Sequence, residues 1–568
     1  GPYMRPIPVL GSVAMGFSLF AAFVFTPWCS YKLRPRLDAL KRAEEREHRV
    51  QEFIGRIYRP LVSPFIRSRP LAWALLGVIV VAFLLACSMF YTKAVTVKML
   101  PFDNKPEFNV VVNLPEGTAL PVTANVTQRL AETLREVPEV TAAQSYVGTV
   151  SPFNFNGMVR HYYLRGRAWE GDIQVMLLDK DDRKRSSHEI ASAARDLLTP
   201  IAHGLGARIA VVEMPPGPPV LQTVVAELYG PDAETRRQVA EDLTDLFEQV
   251  PDIVDVDNYL SEPHARWRFV VDTEKATRRG ISVDTINRNL AMAMGGYELG
   301  DVKRGNVLEP VNIVVELPLS LRASTSALGH LPIPAADGEV VPLAELGRFE
   351  LVPEDPIIYH TDLRPMEYVV GEMAGRLGAP IYGMLGVGAL LQDYRTPDDV
   401  TLAGTLPGPP DDDGRSSFEW TGEWTVTYET FRDLGLAFAA ALVLIYILLV
   451  IEFEDFLIPA TVMLPIPLTV IGIIPGHWLL DAEFTATSMI GFIALAGIEV
   501  RNSILFVDFA KNEMHRGLPI EEAVLRAGQT RMRPIWVTDL TMMAGATAIL
   551  FDPIFEGMAI TLLFGAIT

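Results

Sequence analysis

The chain has 568 residues, 49% of them hydrophobic, yet its formal net charge is −20. That length excludes a single ordinary domain, which usually runs to about 100–200 residues, and so apolar a composition beside so large a charge excludes a uniformly soluble chain. Apolar and charged residues must therefore be segregated. Cys29 and Cys87, the only two cysteines, lie in or beside apolar stretches, which excludes a disulfide framework or a cysteine zinc site.

Apolar blocks occupy residues 5–28, 71–91, 433–452, 457–480, 486–508, 534–551 and 557–568. The first six approach the roughly 20 residues needed to cross about 30 Å of hydrocarbon. The last covers only about 18 Å at about 1.5 Å per residue. The opening block lacks a basic leader and a small-residue cleavage site at Trp28-Cys29, so no cleavable signal peptide is expected. Gly1-Pro2-Tyr3 without an initiator Met, and the stop at Thr568, read as a chain cut at both ends.

Between Cys29 and Arg69 there are eleven Lys/Arg against five Asp/Glu, and the loop from Lys511 to Arg533 is also basic. The positive-inside rule makes both cytoplasmic. Alternation through the spans then puts 92–432 outside. The basic residues act as membrane-edge anchors, and nothing points to nucleic acid.

The outside region alternates strand and helix patterns. Glu107–Asn113 is a Val-rich strand ended by Pro115-Glu116-Gly117, and a helix follows to about Glu136. Asp172–Leu178 is a second strand, and Ser186 with Glu189 forms a capping box opening a helix to about Ala202. Arg208–Glu213 is a further strand, and Val224–Tyr229 restarts the pattern. Leu130, Leu134, Val137, Pro138, Val140 and Tyr146 recur as Leu243, Phe247, Val250, Pro251, Ile253 and Tyr259, all offset by 113 residues. Two ferredoxin-like copies of a split βαβ unit explain this repeat. An insertion near Thr273–Pro356, with a helix capped at Ser282, interrupts the second copy, and Thr405–Ser417 reads as an exposed loop.

The block from Ala486 to Asp508 carries Glu499 and Arg501. A charge at mid-bilayer costs about 2.5–3.5 kcal/mol on insertion scales, so both need a protein-lined or wet environment. They lie about 200° apart around a helix and cannot pair with each other. Arg501 shares a face with Leu505 and Asp508, and Glu499 lies near Asn502. Thr538 and Asp539 fall in the following block, where Asp539, six residues from Arg533, reads as no more than a marker of the membrane edge. Against a coupling role for Arg501 stands the plainer reading of a snorkelling interfacial cation.

Gly497-Ile498-Glu499-Val500-Arg501-Asn502-Ser503-Ile504-Leu505, Val507-Asp508-Phe509, and Arg531-Met532-Arg533-Pro534-Ile535 with Thr538 resemble the tenth and eleventh transmembrane helices of resistance–nodulation–division (RND) efflux permeases. The acriflavine-resistance-type hydrophobe/amphiphile branch is the nearest. Asp272-Thr273-Glu274-Lys275-Ala276-Thr277-Arg278-Arg279-Gly280 resembles the opening of that family's second docking subdomain, and Phe418-Glu419-Trp420-Thr421-Gly422 its strand re-entering the membrane.

The resemblance implies the C-terminal half of such a permease, a membrane α-helical bundle plus an α+β extracytoplasmic region. Residues 1–28 would be helix six, 29–69 a basic cytoplasmic linker and 70–91 helix seven. Residues 92–219 would be the first porter subdomain, 220–272 with 357–430 the second, 273–356 the inserted docking subdomain, and 431–568 helices eight to twelve. It further implies a homotrimeric antiporter in the bacterial inner membrane, driven by proton motive force without a cofactor, and working with a periplasmic adaptor and an outer-membrane channel. Arg501 matches the basic residue of the proton site, with Asn502, Thr538, Glu499 and Asp508 around it, while the paired acidic residues would lie in the other half. Phe153 and Phe155 match a Phe-x-Phe of the drug pocket. In an extended loop both rings would face one side, although ordinary core rings fit the same pattern.

Heavy-metal efflux is the nearest alternative, but Met99, Met158, Met176 and Met214 are scattered and the nine histidines show no metal-ligand spacing. A non-transporting scaffold or export motor on the same fold is the next, and the membrane charges argue against it. No nucleophile–base set or phosphate loop points to an enzyme.

Overall fold

A computed structural model describes residues 6–33, 37–152, 154–214, 217, 220–305, 308–406 and 408–568. It divides into a helical unit, 1–101 with 427–568, and an α/β unit, 102–426. In chain order the helical unit begins with α1 (Val9–Leu33), α2 (Leu37–Arg67) and α3 (Arg69–Tyr91). Pro70 sits in the first turn of α3, where its missing N–H leaves no bond unmade. The stretch expected to be a linker is thus mostly helix, 31 residues long in α2.

In the α/β unit, β1 (Glu107–Asn113), α4 (Leu120–Leu134), β2 (Val140–Val147), the short α5 (Phe155–Val159), β3 (Glu170–Leu177), α6 (Ser187–Gly204) and β4 (Arg208–Val212) follow one another. Their antiparallel strands lie in the order β2-β3-β1-β4. Next come β5 (Val224–Tyr229), α7 (Ala233–Glu248) and β6 (Ile253–Asn258). An excursion then holds β7 (Ala265–Val271), α8 (Val283–Gly295), β8 (Tyr297–Val302), β9 (Val311–Val315) and β10 (Gly347–Pro353). The chain returns through β11 (Arg364–Met373), α9 (Pro380–Leu390) and β12 (Ser417–Gly422). These strands lie in the order β6-β11-β5-β12, so β5, β6, β11 and β12 hold the places of β1, β2, β3 and β4. The repeated residues take matching positions: Leu130 and Leu134 on α4 are fully buried in the first core, Leu243 and Phe247 on α7 in the second.

β7 pairs antiparallel with β10, from Ala265 opposite Pro353 to Val271 opposite Gly347. The excursion is therefore already paired at Ala265, eight residues before Thr273. Ser282 caps α8, its hydroxyl accepting the Thr285 N–H at 3.1 Å. At the start of α6 the Ser186 hydroxyl accepts the Glu189 N–H at 3.2 Å, while the Ser186 N–H donates to the Glu189 carboxylate at 2.7 Å. Ser186→Ala removes half of this reciprocal cap and is expected to lower stability by about 1 kcal/mol, read as a denaturant midpoint shift at constant slope.

The helical unit closes with α10 (Glu423–Phe453), α11 (Leu457–Leu479), α12 (Ala486–His515), α13 (Ile520–Thr547) and α14 (Glu556–Ile567). Among the described residues, α1, α3, α10, α11 and α12 are long and apolar enough to cross a membrane. The block 534–551, expected as a sixth span, falls mainly in the second half of α13. Its helix ends at Thr547, so a stretch of α13 long enough to span must also take in Arg531 and Arg533 beside Asp539. Helices α12 and α14 touch at glycine: a Cβ on Gly557 would lie 2.3 Å from Ser488 Oγ, and one on Gly491 3.0 Å from the Met558 carbonyl. Such small-residue contacts let helix backbones approach where lipid gives no hydrophobic drive to pack.

Candidate functional site

A cavity of about 640 Å³ opens in the helical unit, lined from four helices. α12 contributes Glu499, Asn502 and Ser503, α13 contributes Trp536 and Asp539, α11 contributes Thr461, and the end of α14 closes one side. The spacing explains α12's part: 499, 502, 503 and 506 recur at three and four residues, so they form one stripe. Asn502 is 7% exposed, and its amide donates to Asp539 Oδ1 at 3.2 Å. Glu499, one turn earlier on that stripe, is partly buried. Two carboxyl groups on neighbouring helices therefore face a lined cavity and not bare hydrocarbon, the environment that ionisable groups within a span require.

The expected site residues divide. Glu499 and Asn502 come together, with Asp539 as their partner. Arg501, on an exposed part of the same helix, makes no ion pair among the described residues. The Thr538 hydroxyl donates to the carbonyl of Pro534 at 3.0 Å, within its own helix. Asp508 accepts from the Asn512 amide at 3.3 Å, one turn along α12. Asp539 is the residue that sequence reasoning undervalued. Its place beside Asn502 depends on how α12 and α13 pack, and its one local signal was an acid embedded in an apolar run.

Of the two expected pocket aromatics, Phe153 lies outside the described residues. Phe155 opens the helical turn α5, which Asn154 caps by accepting the Gly157 N–H at 2.7 Å. An extended Phe-x-Phe is thus not the geometry at Phe155. The segment after it is pinned by charge. Arg160 pairs with Glu372 of β11 at 2.5 Å, both nearly buried, and Arg165 meets Asp172 at 3.1 Å and the Asn113 side chain at 2.8 Å. Nearby, Arg195 of α6 bonds Asp255 of β6 through Nε and Nη2 at 2.9–3.1 Å, and the Val211 N–H donates to the same carboxylate at 3.0 Å. Burial pushes the Asp172 and Asp255 carboxyls above the usual carboxylate range, against the pull of their arginines.

The model of the AcrB/AcrD/AcrF family matches residues 4–551. The multidrug/solvent efflux pump membrane transporter MepB of Pseudomonas putida is 26% identical over 559 residues, 94% of this chain and 48% of that one. The nickel-cobalt-cadmium resistance protein NccA of Alcaligenes xylosoxydans xylosoxydans is 23% identical over 557 residues, 96% of this chain and 48% of that one. A crystal structure of a heavy metal efflux pump superposes with a TM-score of 0.70 at 20% identity, covering 91% of this chain and 50% of that one, and so shares the fold. The chain spans about half the length of these relatives. They are efflux transporters and resistance proteins rather than enzymes, several of this chain's helices are fit to cross a membrane, and with the family match running through nearly all its length the chain belongs to the AcrB/AcrD/AcrF family of RND efflux permeases.

Proposed function

We propose that this chain is the C-terminal half of a proton-driven antiporter that exports hydrophobic or amphiphilic compounds from the periplasm or the inner membrane. The two β-α-β-β-α-β units act as porter subdomains and the excursion as a docking subdomain. The complete protein works as a homotrimer in the bacterial inner membrane with a periplasmic adaptor and an outer-membrane channel. The observation that carries the reading is the polar centre of Glu499, Asn502 and Asp539 around a cavity lined by α11, α12 and α13, of which α11 and α12 are long and apolar enough to span. Carboxyl groups there are costly unless they are used, and gaining and losing a proton is the use that their chemistry suits. Arg501, charged at any accessible pH, biases that exchange from the same helix. Rearrangement of these polar groups on proton transfer tilts the spans and drives the porter subdomains.

Cells lacking their own pumps and carrying the full-length gene test substrate class. They are expected to gain tolerance to amphiphilic dyes and detergents, and not to nickel, cobalt or cadmium. Tolerance to the metals alone would replace this reading with the metal-efflux one. Replacing Phe153 and Phe155 together by Ala is expected to change the ranking of tolerated compounds several-fold at unchanged expression. Loss of the protein from the membrane would instead identify the rings as core.

A further inference from the structure

The helix α2 joins α1 to α3, both long and apolar enough to span, so its two ends must return to one membrane surface. Its rotation about its own axis is fixed on one side. Arg59 Nη2 meets Glu522 of α13 at 2.6 Å and Arg59 Nε meets Gln529 Oε1 at 3.2 Å. The Gln529 amide donates to the Gln51 carbonyl at 2.9 Å. At Gly55 and Gly528 the two helices come so close that a Cβ would meet Gln529 and Tyr58 respectively at 2.5 Å or less.

With 51, 55, 58 and 59 turned toward α13, the opposite face points away from it. That face carries Phe53, Ile57 and Leu61, 63%, 59% and 65% exposed. At about 100° per residue these three lie within an arc of roughly 80°. Arg46, Arg49 and Arg56 are exposed, and they fall within about 60° of Phe53 on the wheel. An apolar stripe that holds Arg46 and is bordered on one side by Arg49 and Arg56, on a helix held at a membrane surface, has the composition of a helix that lies in the headgroup layer.

We propose that this face of α2 is a binding surface for anionic phospholipid of the cytoplasmic leaflet. Phe53, Ile57 and Leu61 enter the acyl boundary, and Arg46, Arg49 and Arg56 hold the headgroup phosphates. The charge complementarity is direct, because the cytoplasmic leaflet is negative and attracts arginines held near its surface. The guanidinium fork suits phosphate oxygens better than an ammonium would. This inference needs the membrane placement of α1 and α3 and the cytoplasmic side that the positive-inside rule gives α2, and stands whether or not the chain moves protons.

The test uses the full-length protein in bilayers doped with spin-labelled phosphatidylglycerol or spin-labelled phosphatidylcholine. The motionally restricted fraction of each gives the relative association constant. The native protein is expected to favour phosphatidylglycerol several-fold, less so in high salt, with inorganic phosphate at equal concentration failing to displace it. In Arg46→Gln/Arg49→Gln/Arg56→Gln that preference is expected to fall at least about fivefold, while the number of restricted lipids per protein stays constant and so reports an intact fold. If the triple variant does not assemble, Arg49→Gln alone is expected to lower the preference measurably. An unchanged preference in the assembled triple variant, or in Arg49→Gln when only that assembles, overturns the proposal. Displacement by free phosphate overturns its assignment to lipid. Equal affinity of the native protein for both lipids leaves the face to a protein partner and overturns it as well.

Discussion

Arg501→Ala in the full-length transporter is expected to reduce proton-dependent efflux from energised vesicles by about two orders of magnitude at matched expression. A membrane potential of about 100 mV supplies about 2.3 kcal/mol per elementary charge moved, equivalent to a solute gradient of roughly 50-fold per proton at about 1.4 kcal/mol per tenfold. Harvesting it requires a carboxyl group that binds a proton neither too tightly nor too weakly. A nearby fixed cation favours the ionised form of such a group, and removing the cation tightens the carboxyl's hold on its proton. The carboxyl then keeps its proton through the cycle. Arg501→Lys retains the charge but not the planar fork, so partial efflux is expected. Full efflux by the Ala variant would reduce Arg501 to a snorkelling surface cation.

The largest single effect on stability is expected from Arg195→Ala. Its partner Asp255 has a side chain only 4% exposed, and the Val211 N–H would be the remaining donor to it. An uncompensated buried carboxylate costs about 3–5 kcal/mol. In detergent-solubilised full-length protein this should appear as a lowered unfolding midpoint at unchanged denaturant slope. The double variant Arg195→Leu/Asp255→Asn removes both charges and keeps at 255 a residue that tolerates its left-handed φ of +50°, so it is expected to recover much of the loss. A double variant as unstable as Arg195→Ala would show that the strand needs the carboxylate itself.

Much of the α/β unit was legible in the sequence because its signals are local. β1 and β5 fall on Glu107–Asn113 and Val224–Tyr229, as their Val-rich runs and flanking turn residues predict. The Ser186–Glu189 capping box needs only a four-residue window. The 113-residue offset found the helices α4 and α7 through one shared apolar face. What stayed hidden depends on distance along the chain. The partner of β7 lies across the whole excursion in β10. Glu372 lies 212 residues from Arg160, and no local pattern joins them. Residues 29–69 read as a linker because their charge dominated, and Pro60 and Pro64 argue against a helix that packing against α13 nevertheless supports. Within the membrane, periodicity put Glu499 near Asn502, but the contact of Asn502 with Asp539 follows from how two helices pack.

Proton coupling by the full-length protein is tested most directly in proteoliposomes holding an imposed proton gradient and a lumenal pH-sensitive dye. Adding a hydrophobic amphiphile is expected to accelerate proton flux, and collapsing the gradient is expected to stop uptake of that compound. Glu499→Gln and Asp539→Asn should each weaken the coupled flux while leaving the protein folded. Compound transport that persists after the gradient is collapsed, or proton flux that ignores the compound, would contradict proton-coupled export.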